Sequence, residues 1–148
     1  MYTNFRNDRT QGPFIIAGSV RTDATGASIA EIFKEVRAIR AKALPPGELA
    51  GARDSQVYSL PGQFETNSAI GASLAETYIF DLPQDYWQTL PDQFRRVTAA
   101  QVQAAAGKYL APEQMKVIAV GDKAKVLPQL KDLGLGPPEM RDADGQLP

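Results

Sequence analysis

The chain has 148 residues, 43% of them hydrophobic and 22% charged, which suits one compact domain able to bury a core. It contains no histidine and no cysteine, so imidazole or thiolate zinc sites, Ser-His and Cys-His nucleophiles and dithiol redox chemistry are all excluded. Its 16 basic and 17 acidic residues leave a net charge of -1 with no like-charge block to track a phosphate backbone, so nucleic acid is not an expected partner.

The lead-in MYTNFRNDRT is polar and has no apolar core of the signal-peptide kind. No apolar run approaches the roughly 18 to 20 residues that span a bilayer. Lack of cysteine makes the chain indifferent to redox compartment, so localisation stays open between cytoplasm and periplasm.

The first predicted element is a strand over Phe14–Val20, an apolar, partly β-branched run preceded by Gly12-Pro13. Thr25 is the expected cap of an amphipathic helix with Ile29, Ile32, Phe33, Val36 and Ile39 on its inner face. Pro46 is placed to open a second helix running through Glu48, Leu49, Arg53 and Val57 to Leu60, where Pro61-Gly62 ends it. A third helix is expected over 64–80, with Ile70, Leu74 and Tyr78 as its packing stripe and Ala69, Gly71, Ala72, Ser73 and Ala75 permitting close approach.

Asp81-Leu82-Pro83 closes that segment, and Tyr86, Leu90, Phe94 and Val97 line a fourth helix in which Pro91 must sit in a first turn or at a kink. Thr98 and Gln101 form a capping box, with a Val97 to Val102 hydrophobic staple, at the start of a helix running to about Leu110. After Pro112, the run Met115–Val120 reads as a second buried strand, and Asp122 as the cap of a last helix over 123–133 that Gly134 stops. From Pro137 onward the composition predicts a loose tail. Two buried strands do not make a stable sheet, so a fragment or an obligate partner is expected to supply more.

The most specific features, taken together, are Thr22 and Thr25 after the first strand, Glu48-Leu49, Phe64-Glu65 after Pro61-Gly62, Leu82-Pro83-Gln84-Asp85-Tyr86, Val97-Thr98 before a helix ending Lys108-Tyr109-Leu110, and Val120-Gly121-Asp122. In this order, from about Gly12 to Leu135, the chain resembles the C-terminal, processing-peptidase-like domain of the insulinase and pitrilysin family of zinc peptidases. The resemblance implies an α+β fold, an antiparallel sheet with helices packed on one side, with residues 1–136 a partial domain and 137–148 a flexible tail. It also implies a homologous zinc-binding N-terminal domain or subunit as partner, carrying H-x-x-E-H, and a chamber that encloses an extended peptide substrate. No cofactor is expected in this chain, since there is no histidine onto which that motif can map. The family's substrate-holding Arg and Tyr are expected just upstream of the first strand; Tyr2 falls a few residues past the tyrosine and does not inherit its role. The resemblance thus implies truncation at the N-terminus and an unpaired sheet edge, hence homo-oligomers through that edge. A stand-alone interaction domain of the same fold is the alternative.

Other candidates carry plainer readings. Glu31 and Glu35 form an i, i+4 carboxylate pair, but such pairs are ordinarily a solvated helix face. Gly121-Asp122-Lys123-Ala124-Lys125 lacks the glycine spacing of a phosphate loop and reads as a strand-to-helix turn. Ser and Lys occur without G-x-S-x-G or S-x-x-K spacing. Tyr86 belongs to an apolar stripe, Trp87 is equally suited to core or interface, and Arg6, Arg9 and Arg21, flanking the first strand, are solubilising charges or contacts for a substrate carboxylate or a partner surface.

Overall fold

A computed structural model describes residues 1–6, 10, 12–142 and 144–147. It shows a helix-rich α+β chain whose sheet is a two-stranded antiparallel ribbon, and its residues group into two compact units. The first unit takes in residues 1–5, 14–38 and 111–148, the second residues 6–13 and 39–110.

In the first unit, β1 (Tyr2–Phe5) pairs with β2 (Phe14–Ala17), Tyr2 opposite Ala17 and Phe5 opposite Phe14. The two phenyl rings at the end next to the connecting segment lie 4.5 Å apart, a cross-strand aromatic pair of the kind that stabilises hairpins. The strand expected over 14–20 is therefore shorter, and its partner is the lead-in that reads as merely polar. Helix α1 (Thr25–Ala41) buries Phe33 and Val36, as its periodicity predicts. Thr25 does not cap it: a short 3-10 turn, Thr22–Ala24, precedes the helix, and the Thr25 hydroxyl donates to the Thr22 carbonyl at 3.0 Å.

The cap role passes to Gln129. Its Oε1 accepts from the Gly26 amide at 3.0 Å, while its Nε2 donates to the Thr22 carbonyl at 2.8 Å. Gln129 lies on α6 (Lys123–Lys131), which begins as expected at Asp122, whose Oδ1 accepts from the Ala124 amide at 3.0 Å. Beyond the helix, Gly134 adopts a φ of 66°, the left-handed conformation in which glycine ends helices at least cost.

The expected strand over Met115–Val120 is absent. After a 3-10 turn at Pro112–Gln114 this segment has no regular structure, with Ile118 90% and Val120 96% exposed. A strand needs a neighbour for its N–H and C=O groups, and among the described residues none lies alongside this one. The described part of the tail makes a local turn, in which the Asp142 carboxylate accepts from the Asp144 and Gln146 amides.

The second unit is helical. Helix α2 (Pro46–Ser59) starts on Pro46, whose missing N–H costs nothing in a first turn, and buries Leu49. A 3-10 turn at Pro61–Phe64 leads to α3 (Asn67–Ile79), capped by Thr66, whose hydroxyl accepts from the Ala69 amide at 3.1 Å. In α4 (Tyr86–Arg96), Pro91 is neither in the first turn nor at the end but inside the helix, where it removes one backbone donor. Helix α5 (Ala99–Tyr109) carries the expected capping box: the Thr98 hydroxyl accepts from the Gln101 amide at 3.2 Å, and the Thr98 amide donates to Gln101 Oε1 at 2.8 Å. Leu60, Ala106 and Leu110 are also buried, but no described side chain is completely enclosed.

Candidate functional site

The face most suited to a partner lies on α3, and its origin is an inverted helix. Its sequence, NSAIGASLAETYI, carries a single charge, and a helix so apolar all round is ordinarily buried on several sides. Yet the stripe Ile70, Leu74 and Tyr78, expected to pack inward, is 38%, 64% and 90% exposed. The inner face is instead Ser73, only 5% exposed, with Thr77 one turn on.

Trp87 explains the inversion. Its indole N–H donates to Thr77 Oγ1 at 2.8 Å and reaches the Ser73 carbonyl at 3.2 Å, while the Thr77 hydroxyl itself donates to that carbonyl at 3.0 Å. The ring also meets Phe64 and Tyr86 edge-on, with centroids 5.7 and 5.0 Å away. A half-buried indole N–H needs an acceptor, so the polar side of α3 turns toward α4 and the apolar side is left outward. Trp87 and Tyr86 are thus internal packing residues. The resulting outer stripe, spaced four residues apart with Gly71 and Ala75 beside it, is the pattern by which helices interlock through i±4 ridges.

A second clamp in this unit escapes sequence reading. Arg53 of α2 donates from Nε to the Val97 carbonyl at 2.8 Å, with Nη2 on the same oxygen, so a guanidinium satisfies the last carbonyl between α4 and α5. Gln103 likewise donates to the Arg40 carbonyl at 3.2 Å. Both side chains look like ordinary surface polarity in the sequence, because nothing local marks their distant acceptors.

The remaining candidates do not converge on a chemical site. Glu31 accepts from Lys34 Nζ at 2.7 Å on the exposed face of α1; that hydrogen bond, reinforced by the charges of Glu31 and Glu35, raises the Lys34 ammonium above its ordinary range. Arg21 pairs with Asp23, its near neighbour, at a solvent-open depression also lined by Lys125 and Gln129. Arg6 donates its amide to the Pro13 carbonyl at 3.1 Å, Tyr2 lies in β1 and is 63% exposed, and Arg9 lies outside the described residues. Asp122 caps α6 and stands 3.6 Å from Lys125 Nζ, which engages the would-be phosphate loop in helix capping.

Among the described residues no group of three or more acidic side chains could hold a metal ion, and the sequence has neither histidine nor cysteine. No described helix is long and apolar enough to cross a membrane. Comparisons with protein-family models, with curated proteins and with solved structures find no match.

Proposed function

We propose that this chain is the non-catalytic C-terminal domain of a zinc metallopeptidase of the insulinase type. It closes the substrate chamber and helps to position an extended peptide near zinc held by another domain. The ordered motifs from Thr22 to Asp122 support the family reading, and a donor set without histidine or cysteine supports the non-catalytic role. The observation that carries the proposal is the outward stripe of α3, Ile70, Leu74 and Tyr78, a face that a second domain would bury. The edges of the β1–β2 ribbon, which pair with no further strand among the described residues, offer an extended peptide the backbone partners for strand addition.

Native material captured from source cells with an antibody to this chain tests the reading. H-x-x-E-H is expected in the same polypeptide or in a stoichiometric partner, together with peptide hydrolysis that a chelator abolishes. A stoichiometric partner without that motif, or hydrolysis by the purified chain alone, overturns the peptidase reading; the former assigns a stand-alone interaction role. Leu74→Lys should leave stability within about 0.5 kcal/mol, as exposed substitutions do, yet abolish association with the zinc-bearing partner.

A further inference from the structure

We propose that Lys116–Val120 is a dimerisation strand, pairing antiparallel with the same segment of a second copy of this chain about a two-fold axis through Ile118. The segment is ready for pairing on three counts. Its flanks are extended, with Met115 at φ -65°, ψ 137° and Asp122 at φ -64°, ψ 108°. It contains neither proline nor glycine, and its residues are β-branched at Val117, Ile118 and Val120. Among the described residues, no hydrogen bond engages the backbone of residues 116–121, so its donors and acceptors are open.

Charge selects the occupant and the direction. With Ile118 opposite Ile118, antiparallel pairing sets Val117 against Ala119 and Lys116 against Val120, so the lone cation of the segment never faces its own copy. The same register places Lys116 diagonally across from Asp122 of the second copy, on one face of the pair and twice by symmetry. Diagonal neighbours of about 7–8 Å are within reach of a long side chain. Asp122 can take part without leaving α6, because its cap uses Oδ1 and Oδ2 faces only Lys125 at 3.6 Å. Parallel pairing in register would instead stack Lys116 on Lys116 and Asp122 on Asp122. An unrelated apolar strand would meet the same backbone but would carry no acidic residue at the required position. A closed, isologous pair of copies is the arrangement that satisfies both backbone and charge.

The absence of native cysteine makes the register directly readable. Single substitutions Val117→Cys, Ile118→Cys and Ala119→Cys in the full chain are oxidised with glutathione disulfide. Only position 118 brings its own copy within disulfide range, since 117 and 119 meet themselves only diagonally. Disulfide-linked dimer from Ile118→Cys, forming at least about tenfold faster than from its neighbours, is the expected result. The unmodified chain should sediment at twice 16.0 kDa, and Ile118→Lys, which sets two ammonium groups across the axis, should weaken the dimer by about a hundredfold. Ile118 is 90% exposed, so circular dichroism of Ile118→Lys should match the parent and separate lost pairing from lost folding. A chain that stays at 16.0 kDa, masses that grow past two copies, or equal cross-linking at all three positions overturns the proposal.

Discussion

Trp87→Ala is expected to lower the free energy of unfolding by about 3 kcal/mol, through loss of a large packed ring together with its hydrogen bond. Two contributions combine in that figure, and milder variants separate them. Trp87→Phe keeps an aromatic ring beside Phe64 and Tyr86 but removes the indole N–H that Thr77 Oγ1 and the Ser73 carbonyl accept, leaving only the Thr77–Ser73 bond between them, which should cost about 1 kcal/mol. Thr77→Val removes the near acceptor while keeping the volume, and should cost a similar amount. Chemical unfolding followed by circular dichroism is the suitable measurement, because Trp87 is the chain's single tryptophan and its fluorescence disappears with it. Equal losses for the Ala and Phe variants would show that the ring contacts contribute nothing.

Gly26→Ala sets two opposing effects against each other, and their magnitudes decide the sign. Alanine inside a helix gains about 1 kcal/mol over glycine. A Cβ at Gly26, however, would lie 2.8 Å from the Gln129 carbonyl oxygen and 2.9 Å from its Cβ, and the carbonyl cannot rotate away. Overpacking of this kind costs about 1–3 kcal/mol and would also part the Gly26 amide from Gln129 Oε1. The net expectation is a loss of about 1–2 kcal/mol. Gly107→Ala supplies the control: it sits in α5 with nothing within 4 Å of the new methyl, so it should stabilise by about 1 kcal/mol. Thermal or urea unfolding of the two variants should therefore move in opposite directions.

The sequence discloses those parts of the fold that depend on neighbours within a turn or two. The Thr98–Gln101 box, the Asp122 cap, the proline start of α2 and the inner face of α1 all rest on contacts between residues a few positions apart. Features set by distant neighbours are not legible in that way. Gln129 reaches the start of α1 from 103 residues away, and Arg53 reaches Val97 from 44. Met115–Val120 has strand composition, but composition supplies no partner, and the segment stays irregular. The hidden pairing of β1 had a weak signal in Tyr2, Thr3 and Phe5, all good strand formers set among polar residues.

The α3 stripe shows a different limit. Periodicity locates an apolar face correctly but does not say whether the chain itself covers it. Here the demand of one indole N–H for acceptors outweighs the preference of three apolar side chains for shelter. For the candidate site, the sequence discloses Ile70, Leu74 and Tyr78 as a set and the structure turns them outward.

That no described side chain is fully enclosed has a calorimetric consequence. Heat capacity of unfolding follows the apolar surface newly wetted, and globular chains average about 12–15 cal/mol/K per residue. With Leu74 and Tyr78 already hydrated in the folded state, this chain's increment should fall below that range, giving a flatter stability curve. The missing heat capacity is deferred to assembly, where covering those side chains should appear as a negative increment on binding.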